Sequence, residues 1–308
     1  MFAALGVVLP VFSLIAIGWA VGRKGLLPDN AVDVLNGFVV RLALPVLLFQ
    51  FVAEADWKTL WHPGFAAAFA LGVASVFGLT YIGYARGGSV ADRSIASLAA
   101  AYANTAFMGI PISVALFGQT GMAAAVVASL LTVGAIFAIA ILLVEIDVHR
   151  SKGWAQASAG VAISLARNPL VSGPILGGVW ALGGLPLPAP VHQLLSLLGA
   201  AASPVALVTI GLFLAAMPRS ADKAPVAPLV VMKLFVQPLV TAFFVWLLAV
   251  PAPWGGLAIL IAALPTGTGP FMVAKLYEYE AALTARVILI TTILSAVTIS
   301  VLIALLGV

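Results

Sequence analysis

The chain has 308 residues, 63% of them hydrophobic and 8% charged, with a mean hydropathy of +1.20. Soluble domains carry about 25% charged residues, so this composition excludes a soluble globular protein and predicts an integral membrane one, a partner of the lipid bilayer. The net charge of +4 falls in the connections, where it reports topology rather than nucleic-acid binding; the absence of cysteine excludes disulfides and thiolate metal sites.

At about 20 apolar residues per crossing, the pattern predicts ten transmembrane helices in one membrane domain, 1–308. The first five run Phe2–Val21, Val32–Val52, Phe65–Ala85, Ile95–Phe117 and Met122–Ile146. The second five run Pro169–Gly184, Leu194–Met217, Val226–Ala249, Leu257–Tyr277 and Ala282–Leu306. No basic region precedes the first run, so no cleaved leader is expected. The odd-numbered connections hold Arg23, Lys24, Arg86, Arg93, Arg150, Lys152, Arg167, Arg219, Lys223, Lys275 and Arg286, and the even-numbered ones hold Lys58. The positive-inside rule predicts cytoplasmic odd connections and both termini extracytoplasmic.

The longest connection, 147–168, is then cytoplasmic and divides the chain into 1–146 and 169–308. Five spans per half give the halves opposite orientations, the pattern of an inverted repeat. An offset of 159 residues relates Pro10 to Pro169, Pro45 to Pro204, Pro111 to Pro270, and Gly18 to Gly177. The plainer reading is that prolines simply recur in membrane helices.

Two spans, the fourth of each half, carry the residues of a broken helix. One holds Tyr102-Ala-Asn-Thr-Ala-Phe-Met-Gly-Ile-Pro111, the other Leu264-Pro-Thr-Gly-Thr-Gly-Pro270. Proline withholds an N–H and displaces the carbonyl four residues back, here those of Phe107 and Thr266. Broken backbone at membrane depth is tolerated where it is packed in protein or lines a wet cavity, so the two breaks are expected to form one site. Half-helices starting at Pro111 and Pro270 would direct the N–H groups of Ile112, Ser113, Phe271 and Met272 at an anion. Asn104, Thr105, Gly109, Thr266, Gly267 and Thr268 would supply neutral polar groups and room. The alternative is a pair of kinks relieved by neighbouring helices.

Arg41 lies inside the second span and could meet an anionic substrate, or snorkel, or pair with Asp33. Lys233 and Lys275 are candidates for coupling or gating, though Lys275, with Glu278 and Glu280, also reads as a solvated cluster. All ten acidic residues sit at span ends or in loops. That disfavours a buried-acid Na⁺/H⁺ exchanger, and His/acid spacing predicts no metal site. No nucleophile elbow, phosphate loop or dinucleotide fingerprint is present, so neither enzyme activity nor a cofactor is expected. A cation exchanger using carbonyl and threonine oxygens remains an alternative.

At Leu35-Asn-Gly-Phe-Val-Val-Arg-Leu-Ala-Leu-Pro-Val-Leu-Leu-Phe49, Asn104–Pro111, Thr209-Ile-Gly-Leu-Phe-Leu-Ala215 and Leu264–Tyr277 the chain resembles the auxin efflux carrier family. That resemblance implies ten helices in two inverted repeats, arranged like the bile-acid sodium symporters. Helices 4 and 9 would cross in a mobile, elevator-type transport part, beside a scaffold that often forms a homodimer. Asn104 matches a substrate-contacting asparagine, and Pro111 and Pro270 match the crossover prolines. Plant members often read Pro-Asn-Thr and Pro-Gln-Gly where this chain has Ala103-Asn-Thr and Pro265-Thr-Gly, so Thr266 replaces a longer amide. The long hydrophilic loop of some plant exporters is missing. This compactness favours a bacterial inner-membrane permease of small organic anions such as malonate or malate over a dedicated exporter of indole acids.

Overall fold

In a bilayer every backbone group must be paired within the protein, and this chain meets that demand with helices. A computed structural model describes residues 2–56, 61–84, 88–148, 168–184, 186–217, 226–279 and 281–307. The first half holds α1 (Phe2–Arg23), α2 (Ala31–Phe38), α3 (Leu44–Glu54), α4 (Pro63–Gly83), α5 (Val90–Ala101), α6 (Ile110–Ser129) and α7 (Phe137–Val148). Then come α8 (Pro169–Leu182), α9 (Ala189–Ala200), α10 (Ala202–Ala216), α11 (Val226–Val231), α12 (Gln237–Leu247), α13 (Trp254–Ala262), α14 (Gly269–Leu276) and α15 (Ala281–Leu306). Among the described residues six helical runs are long and apolar enough to cross a membrane: Ala31–Glu54, Pro63–Gly83, Thr105–Asp147, Ala189–Ala216, Val226–Leu247 and Ala281–Leu306. Most of the 147–168 connection, and Lys58, Arg86, Arg150, Lys152, Arg167, Arg219, Lys223 and Glu280, lie outside the described residues.

The run Ala31–Glu54 stays continuous through Pro45 because a π-helical turn, Val39–Ala43, precedes it. The same device recurs: π turns Thr105–Gly109 and Met232–Val236 end two residues before Pro111 and Pro238. Widening the preceding turn relieves the ring's clash without ending the helix. Another π turn, Leu130–Ile136, links α6 to α7.

Gly118, at φ 55° and ψ −131°, breaks α6 and folds the chain back. A Cβ on Gly121 would sit 1.9 Å from the Ser113 carbonyl oxygen, which a straight helix would hold far away. After that reversal α7 returns along α5. The Ser94 hydroxyl donates to the Ala140 carbonyl at 3.0 Å, and the Ala91 N–H to the Asp147 carboxylate at 3.0 Å.

Packing sorts the helices into two groups. In one, α1 lies along α10, and α3 lies against α8 and α9. In the other, α5 packs on α4, α7 and α14, while α12 packs on α4 and α13. Small residues bring backbones together within the first group, as membrane helices require for dispersion contact. A Cβ on Gly18 of α1 would meet the Val208 carbonyl oxygen at 2.1 Å, and one on Gly177 of α8 would meet that of Phe49 at 2.5 Å. Both members of these two contacts are related by the same 159-residue offset. Gly18→Leu and Gly177→Leu are each expected to lower the unfolding temperature by about 5 °C or more in detergent. Gly6→Leu, which adds its side chain to open space, should leave it unchanged.

Candidate functional site

The two broken stretches meet. α5 ends at Ala101 and α13 at Ala262, and the extended residues that follow pair as an antiparallel bridge between Ala103 and Thr266. The Asn104 N–H donates to the Pro265 carbonyl at 2.9 Å, and the Gly267 N–H to the Tyr102 carbonyl at 3.0 Å. These two bonds satisfy four backbone groups that would each cost several kcal/mol if left bare in hydrocarbon. The Tyr102 ring fits this junction only because Gly267 and Gly269 lack side chains; a Cβ there would approach it to 2.9 and 2.8 Å.

The released helix ends are finished from elsewhere in the fold. The Thr266 hydroxyl donates to the Ala99 carbonyl at 2.8 Å, and its N–H to the Thr291 hydroxyl at 3.2 Å. The buried Lys233 ammonium donates to the Ala262 carbonyl at 2.7 Å and to Gln237 Oε1 at 2.6 Å. Gln237 Nε2 in turn donates to the Ala101 carbonyl at 3.0 Å.

Several expectations change. The first break opens at Tyr102–Asn104, ahead of the proline, because the π turn Thr105–Gly109 absorbs Pro111. The N–H groups of Ile112 and Ser113 therefore lie inside one continuous helical run, and Thr105, with Ala106 and Phe107, opens that run instead. In the second break the start at Pro270 stands: α14 begins at Gly269, with Phe271 in its first turn, but the Met272 N–H is bonded to the Thr268 carbonyl at 3.1 Å. Thr266 is fully buried with its hydroxyl committed to Ala99, which makes it a tie between helices. Arg41 is exposed on a π turn that packs against α8, α9 and α10, on the group opposite the breaks. Lys233, a coupling or gating candidate, is at the helix ends themselves.

Asn104 and Thr105 are 7% and 2% exposed at the junction, and Gly109 packs against Leu264. Asn104 holds the N-cap position of its helical run, yet its side chain makes no capping hydrogen bond. The carboxamide is thus held in place by backbone while its polar atoms stay uncommitted to the cap.

Two cavities lie in the seam between the helix groups, one beside the junction at Phe107 and Thr268, the other along the run after it at Ile110 and Pro111. One of about 430 Å³ is bordered by Asn36, Phe107, Thr209, Phe213, Thr268 and Lys275, with Asp33 also on its wall. It runs along α14, from Thr268 just before the helix to Leu276 at its end. Another of about 720 Å³ is bordered by Gln50, Glu54, Pro111, Gln119 and Ser203. Asp33 and Glu54 stand near opposite ends of the run Ala31–Glu54, so the cavities lie toward opposite ends of that run.

A sequence family described as "Membrane transport protein" matches residues 3–303, nearly the whole chain. The chain belongs to this family, that of the auxin efflux carriers. It is therefore a membrane transporter. Among its relatives is a Rhizobium meliloti (strain 1021) protein named "Putative malonate transporter", 30% identical over 298 residues, 96% of this chain and 93% of that one. An "Uncharacterized transporter" of Methanothermobacter thermautotrophicus is 24% identical over 296 residues, 94% of each chain. Escherichia coli (strain K12) "Uncharacterized transporter YfdV" is 24% identical over 243 residues, 76% of each chain.

Tyr102, Gln237 and Thr291 are junction residues that the sequence reading did not assign. The spacing of Lys233 and Gln237, four apart and hence on one helix face, was the available signal.

Proposed function

We propose that this transporter moves small organic anions, with malonate or a related dicarboxylate foremost, through the seam between its two helix groups. The observation that carries the reading is the pair of breaks meeting at one junction, with two cavities in the seam between the helix groups. The smaller cavity offers Thr268, Thr209, Asn36 and the Lys275 ammonium as partners for a carboxylate, with Asp33 on the same wall to repel it from that side. The buried polar side chains at the junction include Asn104, Thr105, Lys233, Gln237, Thr266 and Thr291, none a carboxylate. They favour an anion over the inorganic cation of the alternative reading.

In this reading the chain crosses the inner membrane ten times as two inverted repeats of five, with both termini extracytoplasmic. The matched contacts Gly18–Val208 and Gly177–Phe49 support the repeat. The group holding α4–α7 and α11–α15 carries the anion past α1–α3 and α8–α10, which act as the scaffold of a homodimer. Exchange of access between the two cavities is the elevator step.

The test is uptake of labelled malonate, malate, lactate and indole-3-acetate into proteoliposomes, paired with calorimetric binding. Malonate is expected to bind and to exchange across the membrane, with lactate and indole-3-acetate weaker. If no acid binds or moves, and a Na⁺- or pH-dependent current runs without organic solute, the cation reading replaces this one.

A further inference from the structure

Lys233 is fully buried between the ends of the two broken helices, although a methionine could fill the same volume without a charge to desolvate. Its ammonium contacts the last carbonyl of α13 directly and that of α5 through the Gln237 carboxamide. Each helix C-terminus carries the equivalent of roughly −0.5 charge. Two such ends amount to about one negative charge, which one ammonium balances. The groups that receive it, Ala262 O and Gln237 Oε1, are neutral oxygens of the kind that also coordinate hard cations. Both contacts, 2.6 and 2.7 Å, are short for N–H···O bonds.

We propose that Lys233 is a tethered cation: it fills a monovalent-cation site at the C-terminal ends of the broken helices, so that their N-terminal ends receive a carboxylate with no Na⁺ bound alongside. The cation-site part stands on the local geometry alone, and the carboxylate part rests on the function proposed above. A buried lysine acting only as a strut would give the same hydrogen bonds, but its loss would not create an ion requirement. Cutting the side chain back to alanine leaves the oxygens, the helix ends and a hole where the ammonium was.

The experiment is thermal unfolding of purified Lys233→Ala, Lys233→Arg and the unaltered protein in NaCl, LiCl, KCl and choline chloride at equal ionic strength. The unaltered protein and Lys233→Arg should melt at the same temperature in all four salts. Lys233→Ala should melt about 4 °C or more higher in NaCl or LiCl than in choline, with a saturable dependence on the ion. Malonate uptake by Lys233→Ala should then need the same ion. If Lys233→Ala melts alike in every salt, or fails to fold in every salt, Lys233 is a strut and the proposal falls. It falls equally if the unaltered protein shows the same Na⁺ stabilisation. An ion-dependent melting temperature without malonate transport by the unaltered protein keeps the cation site and removes the substrate reading.

Discussion

Gly267→Val is expected to reduce transport to background and to lower the unfolding temperature sharply. A Cβ at this position meets Tyr102 Cε1 at 2.9 Å and Cδ1 at 3.0 Å, with Asn104 Cα at 3.3 Å. None of these is the loose end of a flexible chain. The ring is also packed against Phe137, 5.8 Å between centroids, so it has little room to yield. Moving Tyr102 stretches the bond that its carbonyl accepts from Gly267 and, through Ala103, the one from Asn104 to Pro265. Overpacking costs about 1–3 kcal/mol, and each buried backbone group left unpaired adds about 1–3 kcal/mol. The total is a large part of a typical stability of about 5–15 kcal/mol. Gly78→Val, where an added Cβ meets nothing within 4 Å, is the matched control. Melting curves and malonate uptake of both variants decide the matter: a Gly267→Val protein with more than half the normal uptake would show that the junction does not hold the site. Shortening the ring, as in Tyr102→Leu combined with Gly267→Val, should restore part of the melting temperature, since the two sites share one contact.

Both breaks were legible from composition alone. Asn104, Gly109 and Pro111, and then Pro265, Gly267 and Pro270, are residues that a lipid-facing helix would not gather in one place. That they meet was inferable because two unsatisfied backbones need partners. Where the first break opens was not legible. Proline's clash has two remedies, ending the helix or widening the turn before it, and local sequence does not distinguish them. Widening occurs at Pro45, Pro111 and Pro238, which moved the start of the helical run from Pro111 back to Thr105. The tertiary ties were out of reach for a different reason. Thr266 looked free because its acceptor, Ala99, is 167 residues away, and Gln237 binds a carbonyl 136 residues away. For Arg41, substrate contact, snorkelling and pairing with Asp33 were all open because its span is apolar; its face of the π turn is exposed.

Asn104→Ala is expected to lose at least tenfold in malonate affinity and uptake while keeping the melting temperature. The two effects separate because of how Asn104 is held. Its main chain is fixed by the bond to Pro265 and by the Met108 and Gly109 N–H groups, which donate to its carbonyl at 3.3 and 3.0 Å. Alanine keeps all of these. The carboxamide itself leaves the cap position uncapped, so its removal takes little from the fold, within about 0.5 kcal/mol for a side chain without internal ties. A hydrogen bond to a charged ligand is worth about 1.5–3 kcal/mol, which corresponds to roughly 10- to 150-fold in binding. Asn104→Asp keeps the size but sets an anion against an anion, and should lose more than alanine does. Calorimetric titration of malonate into the three proteins, with melting curves alongside, gives both quantities. Affinity within twofold of normal for Asn104→Ala would remove the side chain from the site. A fall in melting temperature matching the fall in uptake would make Asn104 a structural residue, leaving anion recognition to Thr268, Lys275 and the helix ends.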